Sequence, residues 1–305
     1  MIDITHKSDT LRYAKAQAVV SFSKPETATA IREGKVPKGN VMEMAKTAAL
    51  FAVKRTSDVI PDCHPLPIEY TAVAFELTET ALRIEVELKT IYKTGVEVEA
   101  MHGASIAALT AYDMLKPIDP KIEIGQICLL EKRGGKSQYK KEFLAGLTAA
   151  VIVCSDSISA GAKEDHAGKA IVEKLEQLSV SIREYTIIPD EAHAIQDKVR
   201  KLTAEKLNMV IFTGGTGLSR RDVTPEALRP LLEREIPGIE ETIRHYGQQR
   251  MPYAMLSRSV AGMIGESLVL ALPGSTKGAA ESMDAVFPHV LHVFRVLEAL
   301  RHEES

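Results

Sequence analysis

The clearest pattern in the first half of the chain has a period of two. Between Tyr70 and Leu77, the residues Thr71, Val73, Phe75 and Leu77 alternate with Ala72, Ala74 and Glu76. In the next run Leu82, Ile84, Val86 and Leu88 are set against Arg83, Glu85, Glu87 and Lys89. Successive strand side chains point to opposite faces, so these runs predict strands with one wet face, and hence an antiparallel sheet. Two helical stretches flank them. One follows Asn40, an N-cap with Glu43 three residues on, continues through Met44, Ala48, Phe51 and Ala52, and stops before Pro61. The other covers Val96–Leu115 and stops at Pro117. A sheet with segregated helices is an α+β domain, antiparallel with its helices on one face in the ferredoxin-like manner.

The second half changes period. Ala149–Cys154, Val180–Ile188, Met209–Phe212 and Leu268–Leu272 are short, nearly continuous apolar runs. Helical stretches such as Gly168–Leu178 and Ala192–Lys206 separate them. Buried strands alternating with helices predict a three-layer α/β domain with a mainly parallel sheet. Between the halves, EKRGGKSQYKKEF (131–143) is basic, contains Gly134-Gly135 and lacks periodicity. It reads as a linker, with domains over 1–143 and 147–305.

Composition narrows the function classes. The chain has 305 residues, 45% of them hydrophobic, and a formal net charge of −3, so no global basic field points to nucleic acid. Cys63, Cys128 and Cys154 lie far apart, without zinc or disulfide spacing. No apolar run approaches the ~18 residues of a membrane span. The N-terminal MIDITHKSDT has no apolar core for a signal peptide. The expectation is a cytoplasmic protein with no membrane partner.

Three stretches of the first half carry chemistry: Lys38 before the Asn40 cap, Cys63-His64-Pro65 after the first long helix, and Asp113 with Lys116 near the end of the second. Asp113 and Lys116 share a helical face, which by spacing alone reads as a surface salt bridge. Adjacent Cys63 and His64 point opposite ways in an extended segment and make no nucleophile dyad. Glu97 and Asp113 are 16 residues apart. An unbroken helix would hold them about 24 Å apart. Either Gly103 breaks that helix or one site forms between subunits.

MIDITHKSDTLRYAKA, KGN, KRTSDVIPDCHPL, KTGVEVEAM, ASIAALTAYDMLK and RGGKS, in that order, resemble the MoaC-type cyclic pyranopterin monophosphate synthases of molybdenum cofactor biosynthesis. The resemblance implies conversion of 3′,8-cyclo-7,8-dihydro-GTP to cyclic pyranopterin monophosphate with release of pyrophosphate. It implies Asp113 as general acid/base beside Lys116, and Lys38 and Lys136 as triphosphate or proton-transfer lysines. It makes Arg12 a phosphate contact. Cys63, His64, Val98 and Glu99 match substrate-contacting positions, with Glu97 flanking them. It also implies an oligomer with sites at its interfaces, and no tightly bound cofactor in this half. Asp62, Val98 and His102 depart from the family pattern.

In the second half, Thr213-Gly214-Gly215-Thr216-Gly217 follows an apolar strand. Glycines at the carboxyl end of a strand let backbone N–H groups converge on an anion. Asp156, Asp190 and Asp222 follow the ends of three strand runs, and Asp165 lies shortly after the first. Such turns use Asp for capping anyway. As a set beside a glycine turn, the carboxylates suit Mg²⁺ with nucleotide phosphates. VIVCSDSISAGAKEDHAG, IIPDE, FTGGTGLSRRDVTPEAL and LALPGS resemble the MoaB/Mog-type molybdopterin-binding domain over residues 147–301. That resemblance implies adenylylation of molybdopterin with Mg–ATP. Asp190 and Asp222 would hold the metal, and Gly214, Gly215, Thr216 and Gly217 the phosphate. Ser275 would touch phosphate or pterin at a helix start, with Ser155, Asp156 and Asp165 in the pocket. Some members bind the pterin without clear catalysis, so a non-catalytic scaffold fused to an active synthase is the alternative. The two resemblances imply a hexamer in the first domain and a trimer in the second, reconciled by a homohexamer carrying two trimers.

Overall fold

The computed structural model describes residues 1–135 and 146–303. The chain divides into two compact units, Met1–Gln138 and Tyr139–Ser305. The first runs β1 (Thr10–Ser21), α1 (Pro25–Arg32), α2 (Val41–Val53), α3 (Thr56–Val59), β2 (Tyr70–Leu77), β3 (Ala81–Tyr92), α4 (Glu97–Leu115) and β4 (Glu123–Arg133). Its sheet has the order β2-β3-β1-β4, antiparallel throughout. This is the expected ferredoxin-like arrangement, with the major helices packed on one face.

Two strands escape the hydrophobic pattern. β1 lies inside the sheet, but its core face is built from Ala14, Ala16, Ala18 and Val20, all fully buried. β4 is an edge strand. Its pairing with β1 shifts register between Lys15 and Ala16 and between Gln17 and Val19, and Gln126 has φ 49°. Such bulges interrupt strict alternation. The expected linker therefore begins too early: Glu131, Lys132 and Arg133 are strand residues opposite Lys15, Ala14 and Tyr13. Charges suit an exposed edge.

The Asn40 cap is as expected, its side chain accepting from Met42 N at 3.1 Å and Glu43 N at 3.2 Å. The buried faces of α2 and α4 are made mostly of small residues. α2 buries Val41, Ala45, Ala49 and Ala52, while Met44 and Phe51 point outward, 53% and 60% exposed. α4 likewise buries Ala100, Ala104, Ala107 and Ala111 and exposes Leu109. Gly103 does not break α4. It is a contact point, where an added Cβ would stand 2.6 Å from Val53 Cγ1.

The second unit runs β5 (Thr148–Cys154), α5 (Asp156–Ser159), α6 (Ala167–Gln177), β6 (Ser181–Ile188), α7 (Ala192–Ala204), β7 (Met209–Thr213), α8 (Thr224–Leu228), β8 (Arg234–Glu235), α9 (Pro237–Gln248), β9 (Val260–Ile264), β10 (Ser267–Leu272), α10 (Thr276–Val286) and α11 (His292–Glu303). The sheet order is β6-β5-β7-β10-β9-β8, parallel from β6 to β10, with β9 and β8 antiparallel. β7 feeds two cores. Met209 and Ile211 join one with Ile171 and Met283, while Val210 and Phe212 join another with Val199 and Leu228. Helices cover both faces, which is the expected three-layer form. β6 corrects one expectation. It is an edge strand with alternating exposure, and Tyr185 and Ile187 reach solvent.

Candidate active sites

α4 carries a polar cluster at each end. At its C-terminal end Asp113 sits between two lysines, with Lys38 Nζ 2.7 Å from Oδ2 and Lys116 Nζ 2.8 Å from Oδ1. Spacing predicts only the Lys116 pair; the loop before α2 delivers Lys38. Hydrogen bonds from Lys116 and then Lys38 hold the carboxyl at about 2. All three side chains are 40–52% exposed, so the pairs add little stability. They form a preassembled cationic pair facing water, suited to phosphate oxygens.

The other cluster lies at the start of α4. The Cys63 thiol donates to Glu99 Oε1 at 3.0 Å. Glu99 is 3% exposed, and burial raises its pKa. Burial and then the Glu99 contact push the Cys63 thiol up to about 12, which favours the protonated thiol. Glu97 Oε1 is 2.5 Å from Lys132 Nζ. Glu97 Oε2 and Glu99 Oε2 are buried and have no hydrogen-bond donor among the described residues. Buried acceptors without donors are rare and unfavourable, so these two oxygens point to a ligand bearing N–H groups. Val98 separates the two glutamates on the first turn, partly exposed. His64 Nε2 lies 2.8 Å from Ile2 O.

Arg12 has a structural role beside the expected one. It is 8% exposed, and Nε and Nη2 donate at 3.0 Å to the carbonyls of Tyr92 and Lys93. Nη1 faces Gly135, where a side chain would collide with it. Its guanidinium braces the end of β3. Lys136 lies outside the described residues. With α4 unbroken, about 24 Å of helix separates Glu97 from Asp113, so one chain does not bring the two clusters together.

In the second unit the strand ends do converge. Gly214 has φ 101° and Gly215 φ 62°, conformations that side chains rarely adopt. An added Cβ on Gly214 would collide with the Cys154 carbonyl oxygen. One on Gly215 would collide with Thr224 Oγ1 and stand 2.9 Å from Asp190 Oδ1. One on Gly217 would stand 2.9 Å from Asp222 Oδ2. The turn thus lies against both carboxylates assigned to metal. Thr224 locks it, with Oγ1 donating to Gly214 O at 3.0 Å and N to Gly215 O at 3.1 Å.

Asp156 and Asp190 bind reciprocally. Asp190 N donates to Asp156 Oδ1 at 3.0 Å and Asp156 N to Asp190 Oδ2 at 3.2 Å. Arg221 pairs with Asp156 and lowers its pKa. Burial, then the charges of Asp156 and Asp222, raise that of Asp190. Asp190 Oδ1 is buried without a donor among the described residues. Asp222 Oδ2 accepts from Ser219 N at 2.7 Å. Ser155 caps α5 and Ser275 caps α10, the latter accepting from Gly278 N at 3.2 Å. Thr216, Gly217 and Ser275 line a cavity of about 510 Å³. Asp165 is held inside the fold. It is 4% exposed and spent on Gly168 N at 3.0 Å and the Tyr185 hydroxyl at 2.5 Å, a packing role at the start of α6.

Residues 1–135 match the MoaC family and residues 150–292 match the probable molybdopterin binding domain. Over 302 residues the chain is 38% identical to a molybdenum cofactor biosynthesis bifunctional protein of Chlorobaculum tepidum, covering 99% of this chain and 96% of that one. The chain belongs to this bifunctional family. It is 36% identical to a protein of the same description from Synechococcus elongatus, covering 99% of this chain and 98% of that one. The MoaC half is 50% identical over 145 residues to a cyclic pyranopterin monophosphate synthase of Pelobacter propionicus, covering 47% of this chain and 90% of that one. The molybdopterin-binding half is similar to the crystal structure of the enzyme MoaB from Thermus thermophilus, at 41% identity, 49% of this chain, 97% of that chain and TM-score 0.46. The protein is therefore an enzyme of molybdenum cofactor biosynthesis.

Each half also has site residues that the sequence did not disclose. In the MoaC half Lys132, read as linker, neutralises Glu97. In the molybdopterin-binding half Arg258 braces the glycine turn, Nε donating to Gly217 O at 2.8 Å and Nη2 to Asp222 O at 2.7 Å. The far wall of the cavity is α9 and the strap through Met251, Tyr253, Leu256 and Ser257. These residues follow no period or motif, so no local signal marks them. Among the described residues no helix is long and apolar enough to cross a membrane, and no three His, Cys, Asp or Glu group as a metal site.

Proposed function

We propose that the MoaC half converts 3′,8-cyclo-7,8-dihydro-GTP to cyclic pyranopterin monophosphate with release of pyrophosphate. The carrying observation is the pair of clusters on α4. Buried donor-free glutamate oxygens suit the N–H edge of a guanine-derived ring, and Lys38 with Lys116 suits the triphosphate. Asp113 is ionised while both lysines hold it. Phosphate that draws the lysines away would raise its basicity and let it accept a substrate proton. The separation of the clusters supports a site completed by a second chain, and the outward Met44, Phe51 and Leu109 supply apolar surface for an oligomer, for which we retain the hexamer. Because Lys38 and Asp113 share one cluster, the informative mixing experiment pairs Asp113→Asn with Glu99→Gln. Activity should return on mixing the two inactive variants. No recovery after subunit exchange refutes the shared site.

For the molybdopterin-binding half the reading is adenylylation of molybdopterin with Mg–ATP, carried by the donor-free Asp190 Oδ1 beside the glycine turn. Asp190 and Asp222 would hold Mg²⁺, which supplies charge neutralisation at the ATP phosphates; two carboxylates plus substrate oxygens are a usual Mg²⁺ set. The backbone of Gly214–Gly217 would take phosphate and the Ser275 end of α10 the pterin side. The purified chain should release pyrophosphate from ATP when given molybdopterin and Mg²⁺. Mg²⁺ should also raise its melting temperature. Equal performance by Asp222→Asn in both measurements removes the metal assignment. Pterin binding without pyrophosphate release would identify a scaffold.

A further inference from the structure

We propose that His102 is a positioning residue for the Cys63–Glu99 pair, fastening the segment that carries Cys63 onto α4. His102 lies three residues after Glu99, so both side chains leave one face of the helix. Its Nδ1 is 3.1 Å from Thr56 Oγ1, on the first residue of α3, which is 2% exposed. Two short hydrogen-bonded turns lead from there to Cys63. Ile60 N donates to Thr56 O at 2.9 Å, and Cys63 N donates to Ile60 O at 3.1 Å. The thiol then returns to Glu99 at 3.0 Å. Together these contacts close a ring from His102 through Thr56, Ile60, Cys63 and Glu99, back along one turn of α4.

The Thr56 hydroxyl does not depend on His102 for an acceptor. Ala52 O is 3.2 Å away and Val53 O 3.4 Å. With its proton directed to α2, the threonine oxygen is left to accept from Nδ1. The histidine contact therefore joins α4 to α3 and satisfies no otherwise stranded group. Among the described residues, the other hydrogen bond that joins this ring to α4 is that of the Cys63 thiol, a weak donor.

The inference rests on the reading of Cys63 and Glu99 as substrate contacts, and its test separates the two. Cys128 is exposed and Cys154 buried. In a full-length Cys128→Ser chain, the rate of reaction with 5,5′-dithiobis(2-nitrobenzoic acid) therefore reports Cys63. His102→Ala should raise that rate about fivefold, the loss of roughly one hydrogen bond. KM for the cyclised GTP substrate should rise similarly, with kcat little changed. His102→Asn, which places a hydrogen-bonding atom near the position of Nδ1, should restore both. Thr56→Val should raise the thiol rate as His102→Ala does, and the double variant should add nothing further. An unchanged thiol rate in His102→Ala, or an equal rise in His102→Ala and His102→Asn, overturns the proposal whatever happens to the melting temperature. Absence of turnover in the unaltered chain would instead remove the substrate assignment, with the thiol measurement still deciding the role of His102.

Discussion

Gly214→Ala places a methyl group where β7 leaves the sheet against the last carbonyl of β5. Two costs add there. The backbone has φ 101°, a strained conformation for any side chain, costing about 1–3 kcal/mol. The Cβ would also collide with the Cys154 carbonyl oxygen, and overpacking of this kind costs about 1–3 kcal/mol. The sum is about 2–6 kcal/mol. Gly265→Ala is the matched control: φ is also positive, at 57°, but no heavy atom lies within 4 Å of the added Cβ. Only the left-handed penalty of about 1–2 kcal/mol applies to it. Native-state hydrogen exchange of β5 and β7 amides in the full chain reads the difference locally. Gly214→Ala should lower their protection by about three decades at the centre of its range, and Gly265→Ala by about one. If the two variants lose equal protection, the Cys154 carbonyl yields to the methyl group, and close approach is not why glycine occupies the turn.

Three further outcomes follow from the electrostatics. Asp113 titrates at about 2 against an ordinary 3.8, so its ion pairs are complete above 3.8 and disappear as pH falls through about 2; Lys38→Ala should move the carboxyl midpoint upward by ¹³C NMR, and an unmoved midpoint removes Lys38 as a cause. The pKa of Asp190 is raised above 3.8, so its contribution to stability is greatest at low pH and is lost as pH rises past that value; near neutral pH Asp190→Asn should melt at or above the wild-type temperature while abolishing the Mg²⁺-dependent rise, and a clearly lower melt contradicts this. Asp165→Ala should cost about 2–4 kcal/mol for one buried and one part-buried hydrogen bond and lower the raised pKa of Tyr185, with pterin binding retained; lost binding without lost stability would place Asp165 in the pocket.

The legible parts of the fold were those written in large side chains. β3 alternates Leu, Ile and Val with charge, β2 alternates Val73, Phe75 and Leu77 with Ala and Glu, and their faces follow directly. β1 alternates alanines with Lys15 and Gln17, a period of two carried by side chains too small to stand out as a hydrophobic run. α2 and α4 were placed correctly as elements, but Met44, Phe51 and Leu109 lie on the outer surface while alanines fill most of the buried faces. Only packing reveals that faces of small residues touch. The glycine turn and strand-end carboxylates were readable because chain direction alone puts them at one edge of the sheet. Arg258, Lys132 and the Met251–Ser257 strap reach their sites through long-range folding and carry no local mark. Asp165 follows a strand run as Asp156 does, and only burial distinguishes the cap from the pocket.

The uninterrupted α4 also bears on how activity scales. If the groups at its two ends serve one turnover, the catalytic unit is a pair of chains. Specific activity is then not a constant of the polypeptide. It falls on dilution below the dissociation constant of the pair, steeply enough that halving expression removes more than half the flux. Rate measurements at nanomolar and micromolar enzyme would then disagree without either preparation being damaged.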